Sequence, residues 1–134
     1  MTRIIDEVKK LQLPLGQYSV VGEGALSVRG IRDYQDIDLI VAEPLYEKLK
    51  NEGWKEREKS PGFAHLYKAN AEIAKSFLHI KGCNLRTDDV IRNSEIIEGV
   101  PFMALNDLIE LKKTLGRDKD ENDIQLIMNY MKNN

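Results

Sequence analysis

One short segment near the start of the chain constrains the fold more than any other. The sequence SVVGEGALSVRGIRDYQDIDLIV occupies residues 19–41. It begins as an apolar strand, turns at Gly22 and Gly24, and ends in a second apolar run that carries Asp36 and Asp38. Side chains alternate between the two faces of a strand, so both aspartates point to one face and the apolar residues to the other. The acidic face must meet water, a cation or a basic partner, because a bare buried carboxylate is very costly.

Two carboxylates on one strand face repel each other unless a counter-charge lies between them. A divalent cation meets this need, and hard oxygen ligands favour Mg²⁺ or Mn²⁺ over zinc. A strand followed by Gly-x-Gly and a helix start also presents backbone N–H groups to an anion. Carboxylates that bind a metal and a cradle for phosphate are the parts that hold a nucleoside triphosphate with its metal. For the Asp-x-Asp pattern alone, a solvated strand face is the alternative.

Composition sets the class of protein. The chain has 134 residues, 42% of them hydrophobic, which predicts a single domain over residues 1–134 with a core of its own. The net charge of −2 gives no general attraction to nucleic acid or to an anionic membrane. The single cysteine, Cys83, excludes a disulfide framework and favours a cytoplasmic setting. No apolar run approaches the roughly 18–20 residues that span a membrane, so we expect no membrane association.

Hydrophobic periodicity predicts helices and strands in mixed order. We expect helices over residues 3–11 and 25–29, from Glu43 to Gly53, from Thr87, from Asn106 to Gly116, and from Asp118 onward. We expect strands over residues 18–21, 36–42, 64–68 and 71–80, and extended chain over 96–102. Pro101 indicates an edge strand or a strand end. Asn106 and Asp118 are the expected helix caps. This order predicts an α+β or mixed α/β layer.

A second known pattern overlaps the same turn. Gly22, Gly24 and Ser27 form G-x-G-x-x-S, and Glu43 follows about 20 residues later, as in the dinucleotide-binding fingerprint. The third glycine is missing, however, and the acids stand at the start of the second strand rather than at its end. A nicotinamide-dependent oxidoreductase is therefore the less favoured alternative. The P-loop pattern is absent, since no Gly-Lys-Ser/Thr follows the turn.

The same segment resembles the core motif of the nucleotidyltransferase superfamily, the group with a DNA polymerase β-like minimal domain. That motif is a hydrophobic residue, Gly, then Gly or Ser, about a dozen residues, and Asp-x-Asp between hydrophobics. Here Val21-Gly22-Glu23 is followed by twelve residues and then Asp36-Ile37-Asp38. The stretch LNDLIELKKTLGRDKDENDIQLI, residues 105–127, is similar to one in small bacterial members, which include proteins related to toxin–antitoxin systems and antibiotic-modifying enzymes. The resemblance implies a mixed β-sheet flanked by helices, with further helices at the C-terminus.

The resemblance also implies an activity. Members transfer a nucleoside monophosphate, from ATP or another nucleoside triphosphate, to a hydroxyl acceptor by a two-metal mechanism. Asp36 and Asp38 would be catalytic residues that bind Mg²⁺ or Mn²⁺. The third carboxylate of the family matches Glu72 in AEIAKSFLHI, which would lie nearest the acceptor and assist its deprotonation; a surface acid at a hairpin edge is the alternative. The acceptor is unidentified and could be a small molecule, a protein or an RNA.

Seven residues are candidates for binding the nucleotide: Gly22, Glu23, Gly24, Arg29, Arg32, Lys112 and Lys119. The arginines could bind phosphates with bidentate bonds, or be solvated charges at a helix end. The lysines could reach the triphosphate from the C-terminal helices, or serve in capping and intrahelical ion pairs. Glu23 departs from the motif, which has Gly or Ser there. Its negative charge should weaken triphosphate binding unless it points away or joins the metal shell.

Two further expectations concern partners and histidines. A chain of this length has little room for an acceptor-binding region, so a homodimer or a partner protein could supply one. The alternative to an enzyme is a catalytically inactive binding module of the same fold, such as the antitoxin-like half of a two-protein system. His65 and His79 lack metal-ligand spacing. His79 alternates with Phe77 in a predicted strand, so we expect a structural role for it.

Overall fold

A computed structural model describes residues 3–134, so the first two residues of the predicted 1–134 domain lie outside the description. The helices are α1 (Arg3–Lys10), α2 (Glu23–Ser27), α3 (Glu43–Asn51), α4 (Thr87–Arg92), α5 (Leu105–Leu115) and α6 (Asp118–Asn133). The strands are β1 (Tyr18–Val21), β2 (Ile37–Val41), β3 (Lys55–Ser60), β4 (Phe63–Lys68), β5 (Ala71–Ala74), β6 (Glu95–Ile97) and β7 (Val100–Phe102). Among the described helices, none is long and apolar enough to cross a membrane.

The strands form one mixed sheet in the order β3-β4-β5-β2-β1-β7-β6. β2 pairs antiparallel with β1 and parallel with β5, and β7 runs parallel to β1. Helices flank this sheet, and the two C-terminal helices, α5 and α6, pack against each other. The predicted fold class, a mixed α+β sheet with C-terminal helices, is confirmed.

The first three residues of β2 show the contrast between faces that the alternation predicts. Ile37, Leu39 and Val41 are buried in the core. Asp38 is on the other face and is half-buried, whereas Ile40, further along the same face, is buried. Helices cover the core with fully buried side chains: Ile4 of α1, Leu26 of α2, Leu108 of α5 and Ile127 of α6. This burial supplies the main favourable term for folding.

Two strand expectations differ from the structure. The strand expected over 71–80 ends at Ala74, which pairs with Ile40 of β2. β2 itself ends at the next residue and leads into α3, so the residues after Ala74 have no strand of β2 to pair with. Pro101 is not at an edge: β6 covers β7 on its outer side. The sheet tolerates this proline because β7 pairs with β1 at only one position, Val20↔Phe102.

The helix caps also differ. Ala104, not Asn106, is the N-cap of α5, so Asn106 lies in the first turn. Arg117, not Asp118, is the N-cap of α6, and its backbone N–H donates to Asp120 Oδ2 at 3.2 Å. Gly116 ends α5 as expected, with φ of 63°.

Gly24 offers a test of how tightly α2 packs on β1. A Cβ at this position would lie 2.8 Å from Val20 Cγ1 and 3.2 Å from Ile4 Cδ1. Valine is stiff at χ1, so it cannot move aside cheaply. We expect Gly24→Ala to lower the free energy of unfolding by about 1–3 kcal/mol, although alanine favours helix. Urea unfolding measures this, with Ser27→Ala in the same helix as control; a stabilised Gly24→Ala would contradict the packing.

Candidate active site

The glycine turn and the acidic strand meet at Gly22. Its φ of 64° and ψ of −141° lie outside the regions that L-residues favour, and it is the N-cap of α2. A Cβ here would lie 3.1 Å from Asp38 Oδ2, so the carboxylate lies directly over the turn. The register explains this, because Val21 pairs with Asp38. Both the backbone conformation and the approach of Asp38 therefore require glycine.

The carboxylates line one cavity of about 390 Å³. β2 and β5 pair in parallel with Asp38 opposite Glu72, so both side chains share a sheet face. Asp36 lies just before β2. The cavity brings together seven of the predicted site residues: Gly22, Glu23, Asp36, Asp38, Glu72, Lys112 and Lys119. It adds four basic residues for which the sequence predicted no binding or catalytic role: Lys59, His65, His79 and Arg117.

A second, larger groove of about 740 Å³ borders this cavity at Ser76 and Phe77. Its lining includes exposed apolar side chains such as Leu78 and Ile96. None of the predicted site residues is among those that line it. We therefore assign the candidate active site to the smaller cavity.

Negative charge is concentrated around Asp38. Burial raises the pKa of the Asp38 carboxyl to about 6, and neighbouring negative charges add to the effect. These charges belong, in decreasing order of effect, to Glu72, Asp36 and Glu23. Glu23 Oε1 accepts a hydrogen bond of 3.3 Å from the backbone N–H of Gln35. Glu23 thus binds the loop just before Asp36 and adds its charge to the acidic site.

Glu72 differs from Asp38, because donors surround it. Its Oε2 lies 2.6 Å from His65 Nδ1, accepts a hydrogen bond of 3.1 Å from the Tyr67 hydroxyl, and lies 3.3 Å from Lys59 Nζ. An ionised carboxylate only accepts, so His65 Nδ1 is the donor. Burial would raise the pKa of Glu72, yet the bonds from His65 and Lys59 hold it below its usual value. The carboxylate is therefore anionic and engaged by the protein itself.

These contacts bear on whether the site fits a metal ion. Carboxylate oxygens suit Mg²⁺ or Mn²⁺, and a cation would relieve the repulsion at Asp38. Within residues 3–134, however, no three His, Cys, Asp or Glu side chains are arranged to hold a metal ion. Oε2 of Glu72 is already engaged by three donors. In this conformation the residues do not fit as a three-carboxylate metal site, and metal binding by Asp36, Asp38 and Glu72 stays a prediction.

The basic wall of the cavity comes from α5 and α6. Lys112 is buried and lies 2.9 Å from Asp123 Oδ2 and 3.4 Å from Asp120 Oδ1. Arg117 Nε donates to Asp120 Oδ2 at 2.6 Å. Lys119 is exposed in the first turn of α6. Buried aspartates thus balance Lys112 and Arg117, while Lys119 faces the cavity from its rim.

Three predicted nucleotide-binding residues lie outside the cavity lining. Gly24 is buried between β1 and α1. Arg29 is buried, donates to the carbonyl of Ala25 at 2.8 Å and pairs with Glu95 at 2.8 Å. Arg32 pairs with buried Asp123 at 2.8 Å. These contacts are structural, so the structure does not bring the three residues to the acids, and their nucleotide-binding roles stay predictions.

Sequence reasoning also missed the residues around Glu72. Lys59 lies in β3, a strand that the sequence did not predict, and no role was predicted for His65 beyond its lack of metal-ligand spacing. His65 packs edge-on against His79, with ring centroids 4.9 Å apart. The alternation of His65, Tyr67 and Glu72 across the β4–β5 hairpin is the signal that could have shown them on one face.

Comparisons with known proteins support the fold. No family model and no curated protein sequence matches the chain. Among solved structures, the chain is similar to a crystal structure of ANT(2")-Ia in complex with adenylyl-2"-tobramycin, with a TM-score of 0.53 and 12% sequence identity. The match covers 96% of this chain and 86% of that one. At this level of sequence identity the likeness shows a shared fold and nothing more.

The acidic cavity should cost the protein stability. The raised pKa of Asp38 means that folding is favoured by its protonation, and this advantage is lost as the pH rises from about 4 through about 6. We expect Asp38→Asn to raise the free energy of unfolding at pH 7 by about 1–3 kcal/mol, and the difference to shrink below about pH 5. Thermal unfolding with EDTA measures this, with exposed Asp33→Asn as control. A destabilised Asp38→Asn at pH 7 would contradict the prediction.

Asp120 should behave in the opposite way. Despite its burial, bonds from Arg117 and the charge of Lys112 hold its pKa at about 2. A lowered pKa contributes stability that is present above the unfolded value and lost as the pH falls from about 4 to about 2. We expect Asp120→Asn to lose roughly 2–3 kcal/mol at pH 7, and the deficit to narrow below about pH 4. Acid titrations of unfolding, with Asp118→Asn as control, test the sign; a constant deficit would refute it.

Proposed function

We propose that this protein is a nucleotidyltransferase that moves a nucleoside monophosphate from a nucleoside triphosphate to a hydroxyl acceptor. The observation that carries the proposal is the single cavity that joins the glycine turn, the acidic pair and Glu72 with basic side chains of the C-terminal helices. The fold likeness to a nucleotidyltransferase crystallised with adenylyl-2"-tobramycin supports it. Adenylyl-2"-tobramycin carries an adenylyl group on an acceptor, which is the kind of outcome that we propose here for an acceptor still to be identified.

The reaction has simple requirements. The acceptor oxygen attacks the α-phosphorus, the bond from that phosphorus to the bridging oxygen of the leaving group breaks, and pyrophosphate departs with the electron pair. The acceptor proton passes to a base, for which Asp36, Asp38 and Glu72 are the candidates in the cavity. Lys119 and the backbone of the glycine turn would bind the triphosphate, because both offer donors at the cavity rim.

The cofactor and the partner remain proposals from the sequence resemblance. Mg²⁺ or Mn²⁺ would neutralise the triphosphate and the acidic pair, and Asp36 and Asp38 would hold it. The acceptor could be a small molecule, a protein or an RNA. The ANT(2") likeness makes an aminoglycoside such as tobramycin a reasonable first probe. A second copy or a partner protein could complete the acceptor site.

A labelling experiment tests the proposal. The purified protein is incubated with each α-³²P-labelled nucleoside triphosphate and Mg²⁺, and with tobramycin, total RNA or an extract of bacterial protein. We expect label on one acceptor class and a loss of at least about 100-fold in Asp36→Asn and Asp38→Asn. Asp33→Asn, exposed and outside the cavity, is the control. If no acceptor is labelled and Asp38→Asn binds nucleotide as the wild type does, the proposal fails.

A second candidate is a binding module that has the fold but no catalysis. Two observations favour it: Glu23 stands where the motif has a small residue, and Glu72 is engaged by three donors. A thermal-shift assay separates the two candidates. An enzyme should be stabilised by a nucleoside triphosphate with Mg²⁺, whereas a module that binds only protein should not.

A further inference from the structure

Lys59 approaches the acidic cavity from an unusual position. It lies in β3, an edge strand whose residues 55–59 are all exposed. The pairing of β3 with β4 shifts between Glu58 and Ser60, so Lys59 is the extra residue of a bulge. Bulges redirect side chains and are common beside active sites. Here the bulged side chain lines the same cavity as Asp38 and Glu72.

The ammonium of Lys59 lies beside the acidic residues of the central strands. Its Nζ lies 3.3 Å from Glu72 Oε2. Asp38 is opposite Glu72 in the parallel pairing of β2 with β5 and lines the same cavity as Lys59. Lys112 and Arg117, also in the cavity lining, are already paired with buried aspartates. Lys59 is thus the cation most directly associated with the acidic side.

We propose that Lys59 is the resident counter-cation of the acidic cavity and that a divalent cation must displace it to bind there. The proposal accounts for the disagreement between the sequence motif, which calls for a metal, and a structure in which Glu72 is engaged by the protein. It deepens the proposed function, on which its meaning for catalysis rests. Lys59 would be a positioning residue that sets the affinity for the cation.

Displacement needs little rearrangement. The Lys59 side chain is 46% exposed and has a long flexible stem on an edge strand, so it can move into solvent. His65 and Tyr67 would remain bonded to Glu72 Oε2 and keep its position. Because His65 is buried, its side chain is held in place, and so is its hydrogen bond to Glu72. The cavity can therefore lose one cation and accept another while Glu72 keeps its orientation.

Binding of Mn²⁺ alone, without nucleotide, tests the proposal. Isothermal titration and electron paramagnetic resonance measure the dissociation constant for wild type, Lys59→Met and Lys59→Arg. We expect Lys59→Met to bind Mn²⁺ about five- to twenty-fold more tightly, since a competing charge is gone, and Lys59→Arg to stay within about two-fold of wild type. Lys55→Met removes an exposed lysine of the same strand from outside the cavity lining and should change nothing. Circular dichroism checks that each variant is folded, and Lys59→Gln replaces Lys59→Met if that variant is not.

Two results would overturn the inference: Mn²⁺ affinity unchanged or reduced in the neutral Lys59 variant, or a gain that persists after Asp38→Asn is added. Loss of the gain in that double variant supports it. This outcome is independent of the transfer assay. If no acceptor is labelled but Mn²⁺ binds more tightly to Lys59→Met, the proposed function fails and the role of Lys59 stands. If label is transferred but the Mn²⁺ affinity of Lys59→Met is unchanged, the proposed function stands and the role of Lys59 fails.

Discussion

The pairing of β2 with its two neighbours is the constraint on which the site depends. β2 is antiparallel to β1 and parallel to β5, and this register sets Asp38 beside Val21 on one side and Glu72 on the other. A slip of one residue would turn Asp38 into the core and expose Ile37 and Leu39. The burial of those apolar side chains therefore fixes the acids, and the same pairing places Asp38 over Gly22.

The fold has to stabilise the charges that this register concentrates. Glu72 is held by donors from the edge hairpin, and burial leaves Asp38 with a raised pKa. On the side of the cavity formed by the C-terminal helices, the buried Asp120 and Asp123 of α6 bind Lys112 of α5. Asp123 also binds Arg32, from the loop that leads to β2. A buried pair adds little net stability but is costly to break, so these contacts chiefly fix where the helices lie. The C-terminal helices are thereby aligned with the acidic strand.

The sequence predicted the part of the site that depends on local geometry. Alternation along β2 was enough to place Asp36 and Asp38 apart from the core, and the glycine pattern was enough to locate the turn. It could not predict β3, because KEREKS is charged throughout and forms a strand only through pairing at an exposed edge. Lys59 was missed for that reason. The ion pairs of Arg29 and Arg32 could not be foreseen, because their partners, Glu95 and Asp123, are more than sixty residues away in the chain.

Glu23 links these points. The motif has a small residue there, and the structure shows where the larger one goes: its carboxylate accepts from Gln35 N–H, next to Asp36, and its charge adds to the rise in the pKa of Asp38. A fourth carboxylate makes the cavity more attractive to a cation and less attractive to a triphosphate that arrives without one. Cation binding and nucleotide binding should therefore be coupled more strongly here than in a site with glycine or serine, because only a cation can neutralise both the acids and the phosphates. Lys59 can neutralise the acids but not the phosphates. It would have to leave before a divalent cation could neutralise both.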